Sequence, residues 1–197
     1  MKHSYSISGY HTRLRPATMD DAEFIVRLRT RPGVIGNVGD TRADPAQQRE
    51  WLRAYEQREG DYYFMIETEA GTAVGTIGLY DVHNDAAEWG RWIILPGVPA
   101  AVPSCILIYR FAFEVLRLRE VRGNIVESNR RVISFHQRFG ALQTHVQFRA
   151  RQIGGEWINL VWILMDRERW VRTEARVQPL AEAAGRAMTQ IVEPVCF

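Results

Sequence analysis

Trp89 to Gly140 is the stretch that narrows the fold most. It belongs to a strand (Glu88–Leu95), a loop broken by proline and glycine (Pro96–Pro103) and a strongly apolar helix (Ser104–Leu116). A second strand (Glu120–Val126) follows, then a short helix (Asn129–Phe139) stopped at Gly140. Strand and helix alternating this closely point to a mixed α/β architecture.

The flanks fit the same class. Residues 1–10 read as a loose arm and His11–Ala17 as a short strand. Thr18 caps a helix over Met19–Thr30, with Asp20, Asp21 and Glu23 at its positive end and Pro32-Gly33 after it. Val34–Arg42 is a loop. Asp44-Pro45 opens a second helix running to about Glu59, with Trp51, Leu52 and Tyr55 as its buried stripe. Tyr62–Thr68, Ala73–Tyr80 and Ala87–Leu95 form an antiparallel meander through turns at Glu69-Ala70-Gly71 and His83-Asn84-Asp85. Leu142–Arg151 and Glu156–Met165 flank Gly154-Gly155 as a last hairpin. The expected organisation is one α+β domain over residues 1–170, followed by an extension over 171–197 whose weaker helical stretches are broken by Pro179.

Composition removes several function classes. With 25 basic and 23 acidic residues the net charge is +2, so no bulk field calls for nucleic acid. The basic residues are nearly all arginine, which suits ion pairing and anion recognition. Cys105 and Cys196 supply neither a disulfide framework nor a metal quartet. The first residues lack the apolar core of a signal peptide, and no apolar run approaches the roughly 20 residues of a membrane span. The cytoplasm is the expected compartment.

Phe111-Ala112-Phe113, Leu118, Asn129 and Gly140 fall in one ungapped register, and the chain opens Leu14-Arg15-Pro16-Ala17 with Asp20-Asp21-Ala22 after it. On these residues the chain, from Leu14 to Met165, resembles the GNAT superfamily of acyl-CoA-dependent N-acetyltransferases, and within it the RimJ/RimL-like subgroup. The resemblance implies a mostly antiparallel central sheet flanked by helices and splayed between the fourth strand, here Ala87–Leu95, and the fifth, here Glu120–Val126. It implies acetyl-CoA as co-substrate. Its acyl arm would pair with the backbone of Trp92, Ile93, Ile94 and Leu95 as an added strand does. Its pyrophosphate would sit on N–H groups at the next helix start, on Ala100, Ala101, Val102, Ser104 and Cys105. Asn129 would meet the arm from the opposite side, and as the first residue of a helix it also suits an N-cap. The family's Arg/Gln- and Gly-containing loop before that helix reads Pro96-Gly97-Val98-Pro99-Ala100-Ala101 here. Pro99 has no N–H to donate. The alternative reading is therefore a binding or regulatory module of this fold that has lost acetyl-CoA use.

Acetyl transfer to a primary amine requires a base for the ammonium proton, a polarised thioester carbonyl and often an acid for the leaving thiolate. His136 stands seven residues after Asn129, where many relatives place a tyrosine as that acid. Glu88 is the leading candidate base, with Asp81 and His83 as rivals. Strand alternation would set Glu88, Gly90 and Trp92 on one face and Trp89, Arg91 and Ile93 on the other. A backbone N–H near Ile93 or Ile94 would polarise the carbonyl. The acceptor would lie between Val34–Ala43 and the last hairpin, with Trp89, Trp92, Trp157 and Tyr80 as stacking surfaces and Arg91 or Arg42 for an anion. An amino sugar on a nucleotide carrier, a protein N-terminus and a small amine all remain open as acceptors. The unpaired sheet edges and the Gly154-Gly155 hairpin leave a homodimer open.

Overall fold

The computed structural model describes residues 3–39 and 41–191; Cys196 and the end of the tail lie outside them. Its strands are β1 (Ile7–Gly9), β2 (Thr12–Pro16), β3 (Tyr62–Thr68), β4 (Ala73–His83), β5 (Ala86–Ile94), β6 (Glu120–Val126), β7 (Leu142–Ile153) and β8 (Glu156–Asp166). Its α-helices are α1 (Ala22–Arg29), α2 (Pro45–Tyr55), α3 (Ala101–Arg110), α4 (Arg130–Phe139) and α5 (Arg167–Met188). The strands make one sheet in the order β1-β2-β3-β4-β5-β6-β8-β7. All neighbours are antiparallel except β5 and β6, which the α3 crossover makes parallel. This is the mixed α/β fold expected, with a mostly antiparallel sheet flanked by helices.

Alternation along the strands sorts the core into layers. Phe64, Ile66, Ile77, Leu79, Val121 and Ile163 face α3, α4 and α5 in the main cluster. Tyr63 and Met65 face the other way, onto Ala22 and Ile25 of the first helix and Leu52 and Tyr55 of the second. The start of α1 is held by Arg15, which donates to both oxygens of Asp21 at 2.7 Å and to Glu67 at 2.6 Å.

Three expectations change. Residues 7–9 are not a loose arm: they pair with Thr12–Leu14 through a turn in which Tyr10 and His11 both take positive φ, 55° and 53°. This extra strand makes the expected fourth and fifth strands β5 and β6. The helix expected over Ser104–Leu116 starts at Ala101 and changes to a π-helical turn over Phe111–Val115. The tail is not broken at Pro179: α5 is continuous from Arg167 to Met188. A mid-helix proline costs about 3 kcal/mol. Pro179 faces solvent, where water can satisfy the freed carbonyl, while Trp170, Val177, Ala181 and Met188 anchor both sides of it in the main core.

Candidate active site

β5 and β6 pair only at Ala86–Glu120, Ala87–Val121 and Glu88–Arg122. Beyond Glu88 the strands part. On its other edge β5 stays bound to β4: Ile93 and Ile94 face Thr76 and Gly75, and the Leu95 N–H reaches the Val74 carbonyl at 2.9 Å. The backbone of Trp92 to Leu95 therefore turns an edge without a strand partner toward the gap. Pro96-Gly97 ends it in a tight turn, with the Val98 N–H on the Leu95 carbonyl at 3.3 Å and Gly97 at φ 78°. Proline followed by a positive-φ glycine is what a type II turn requires, so the loop's departure from the family pattern has a local structural reason.

At the end of the gap α3 begins without a side-chain cap at Ala100, and Pro103 has no N–H. The N–H groups of Ala100, Ala101 and Val102 are its open first-turn donors. Ser104 and Cys105 are not among them. The Ser104 N–H is used on the Ala100 carbonyl at 3.0 Å, and its hydroxyl receives the Trp92 indole N–H at 3.1 Å. Cys105 is fully buried, and burial pushes its thiol well above the ordinary value. Across the gap Asn129 caps α4, its Oδ1 accepting from the Val132 N–H at 3.4 Å.

The simple alternation expected along β5 fails at Arg91. Thr76 faces Ile93, but Gly78 faces Gly90, so β5 carries one extra residue there. Arg91 takes φ 52° as part of this bulge, and the Thr76 hydroxyl donates to its carbonyl at 2.7 Å. The faces exchange in consequence. Trp92 joins Trp89 on the α3/α4 side, rings 5.6 Å apart, and Arg91 joins Glu88 on the α1/α2 side.

That second face holds a cavity of about 340 Å³ at the point of divergence. Tyr80, Tyr63 and Trp51 supply its aromatic surface, and Gly39, Thr41 and Arg42 bring the α1–α2 loop to it. Arg91 crosses Tyr80 at 4.5 Å and Trp51 at 5.1 Å while gripping Asp61 through two bonds of 2.6 and 3.0 Å. Arg29, Arg42 and Arg151 also line the space, opposed by Asp44. Among the described residues, of these four arginines only Arg91 forms a salt bridge. Arg29 instead binds the Thr41 hydroxyl and the Gly39 carbonyl.

Glu88 lies behind this cavity. Its Oε1 accepts from the Tyr80 hydroxyl at 2.9 Å and from the Asn124 amide, and both partners line the space. Burial pushes its carboxyl above the ordinary value; Asp81 acts in the same sense, while Tyr80, Arg151 and Asn124 oppose it. Burial and Glu88 also raise the Tyr80 phenol, which stays a protonated donor. Gly90 is required beside them, because a Cβ there would stand 2.6 Å from the Tyr80 hydroxyl oxygen. Of the other expected groups, Asp81 and His83 sit exposed at the β4–β5 hairpin tip, the His83 ring on the Asp81 carbonyl. Trp89 and Trp92 belong to the opposite face, and Trp157 is exposed against Arg149 on the last hairpin. The sequence reading missed Arg29, Trp51, Tyr63, Asn124 and Arg151 as lining residues. Glu120, Arg122 and Asn124 alternate with Val121, Gly123 and Ile125 along β6, and that polar alternation was the available signal for Asn124.

His136 occupies the α4 face toward the gap. It is 2% exposed and packs on Trp89, Trp92 and its neighbour Phe135 at ring distances of 5.0 to 5.5 Å. Burial lowers its pKa to about 4, so the ring is neutral near pH 7.

The sheet is opened between its parallel neighbours, and a helix start without a side-chain cap stands at the end of the opening. The chain belongs to the GNAT acetyltransferase family: the model of the acetyltransferase (GNAT) domain matches residues 11–142, and the chain is by that membership an N-acetyltransferase. FdhC, described as a nucleotide-linked sugar GNAT, is 26% identical in its apo structure, with a TM-score of 0.74 over 89% of this chain and 98% of that one. A variant of the spermidine N-acetyltransferase SpeG of Vibrio cholerae shares the fold at 15% identity and TM-score 0.73, over 83% of this chain and 98% of that one. No protein of curated function matches. No helix among the described residues is long and apolar enough to cross a membrane.

Proposed function

We propose that the protein transfers the acetyl group of acetyl-CoA to a primary amine whose molecule also carries an anionic group, with an amino sugar on a nucleotide carrier as the favoured class. The observation that carries this is the cavity beside Glu88, with arginines at positions 29, 42, 91 and 151 against Asp44. Such a lining attracts phosphate or carboxylate and repels a polyamine. Trp51 and Tyr80 add flat surfaces suited to a sugar or base. The likeness to the nucleotide-linked sugar enzyme supports the same class. The opening Leu14-Arg15-Pro16-Ala17 supports a place near the RimJ/RimL-like branch.

In this reading the acyl arm lies along the free edge of Trp92 to Leu95, with Asn129 across from it and the pyrophosphate on the N–H groups of Ala100, Ala101 and Val102. Glu88, directly or through water, takes the proton of the amine; its raised pKa makes it a stronger base than an exposed carboxylate. The amine nitrogen forms the new bond to the carbonyl carbon, the carbon–sulfur bond breaks, and the second proton lost by that nitrogen goes to the leaving thiolate, which departs as the free thiol. A backbone N–H of Ile93 or Ile94 polarises the carbonyl. His136, being neutral, meets the leaving sulfur as a hydrogen-bond donor. Mass spectrometry of amines incubated with acetyl-CoA tests the proposal. Acetylation of nucleotide-linked amino sugars, with spermidine and peptide N-termini left unmodified, is expected; the reverse selectivity overturns it.

A further inference from the structure

We infer that Arg91 is a specificity-determining residue: its guanidinium fills a receptor for an organic cation built into the wall of the acceptor cavity, and by filling it closes the site to cationic acceptors. The effect on selectivity rests on the proposed acceptor class; the receptor itself does not. Three rings surround the guanidinium, Tyr80 at 4.5 Å, Trp51 at 5.1 Å and Tyr63 at 5.3 Å. Buried Asp61 takes its two terminal nitrogens, one on each oxygen. All three rings line the cavity. Aromatic faces around a buried carboxylate are the parts from which a cage for an ammonium or guanidinium ligand is made.

The cage stands without its occupant. Trp51 stacks on Tyr55 at 5.7 Å, Tyr63 meets both of them edge-on, and the Tyr55 hydroxyl accepts the Tyr63 N–H at 2.8 Å. The Tyr80 hydroxyl is held by Glu88. Arg91 for its part is fixed from its backbone, in the bulge at φ 52° with its carbonyl on the Thr76 hydroxyl. An incoming acceptor does not displace it, because that would strand two buried charges. Arg29, Arg42 and Arg151 line the same cavity but form no salt bridge among the described residues. Those three set the field over the acceptor, whereas Arg91 sets the space. An arginine placed to grip an anionic acceptor would turn its fork to the cavity; this one turns it to Asp61.

The test uses the full chain. Arg58 stands 3.8 Å from Asp61 and 5.0 Å from the Trp51 ring, so every protein compared carries Arg58→Gln to keep that neighbour out of the cage. In this parent, Arg91→Ala opens the cage and keeps Asp61, while Arg91→Met with Asp61→Asn removes both charges and keeps the space filled. Melting is followed in millimolar methylguanidinium chloride against the same concentration of sodium chloride. Methylguanidinium should raise the melting temperature of Arg91→Ala by several degrees and leave the parent and the double substitution unmoved. A variant that melts cooperatively only once methylguanidinium is added gives the same answer. For spermidine, kcat/KM should rise at least about tenfold in Arg91→Ala and not rise in the double substitution. The inference is overturned if methylguanidinium leaves Arg91→Ala unmoved or moves the parent equally, or if Arg91→Ala gains nothing toward spermidine. It is also overturned if the double substitution gains as much, since charge and not occupied space would then select. Failure of every protein to acetylate any amine overturns the transferase reading and leaves the melting result to decide the cage.

Discussion

The burial of His136 has a consequence measurable without any substrate. In the unfolded chain its imidazole titrates near 6.5; in the folded protein burial lowers that to about 4. Between these values the unfolded chain binds a proton that the native state refuses. Stability from this residue is therefore complete above about pH 7 and declines as pH falls through 6.5 toward 4. At about 1.4 kcal/mol per pH unit, the loss between pH 7.5 and 4.5 comes to about 2.5 kcal/mol. His136→Phe is the comparison, since an aromatic ring can keep the packing on Trp89, Trp92 and Phe135. Urea unfolding at pH 7.5 and 4.5 should show wild type losing about 2.5 kcal/mol more than the variant. At a slope of about 2 kcal/mol per molar, that is an extra midpoint shift of about 1 M urea. Carboxylates titrate in both proteins and cancel in the difference. Parallel losses in the two proteins would show that the folded state accepts the proton, and the burial reasoning would fail. The kinetic corollary is that no limb near pH 6.5 in the rate profile arises from His136.

Glu88→Gln keeps an oxygen for Tyr80 and Asn124 but cannot take a proton; kcat should fall by about 10²–10⁴ with acetyl-CoA affinity nearly unchanged, measured by steady-state kinetics and calorimetry. In wild type the base must be ionised, so activity should fall as pH drops through a pKa above the ordinary carboxylate value, and that limb should vanish in the variant. Arg29→Ala with Arg151→Ala should raise KM for an anionic acceptor by about tenfold or more while KM for acetyl-CoA holds; equal effects on both would remove these residues from the acceptor side. Asp61→Ala leaves the Arg91 guanidinium half-buried without its partner and should cost about 3–5 kcal/mol in denaturant unfolding.

Much of this molecule was legible where a local rule had one solution. The strand Glu120–Val126, the helix stopped at Gly140, the Asp44-Pro45 helix start and the Gly154-Gly155 hairpin all stand where the residues put them. The failures share a cause: each is a backbone state imposed by packing. Tyr10 and His11 hold positive φ without glycine or asparagine, so the β1–β2 turn left no signature in the sequence. Pro179 should interrupt a helix, yet core contacts on both sides of it carry α5 through. Ser104 looked like an open donor because its bond to Ala100 depends on where the helix begins, and helix ends are the hardest boundaries to read.

The bulge at Arg91 does most to explain how the site divides its labour. Without it, Trp92 would stand on the side of Glu88 and compete with the acceptor cavity for space, while Arg91 would be driven into the aromatic layer of Trp89, Tyr109 and His136. That layer offers it no carboxylate, and a buried unpaired guanidinium is among the costliest arrangements available. One extra residue moves the cation to Asp61 and the indole to Ser104, each to a matching partner. The free edge of β5 then has an aromatic, uncharged side under the proposed acyl arm and a cationic side under the proposed acceptor. Glu88 sits at the last paired residue before the strands separate, next to the edge and to the cavity at once. The position of the proposed base thus follows from where β5 and β6 stop pairing, and the charge of the acceptor side from where β5 gains a residue.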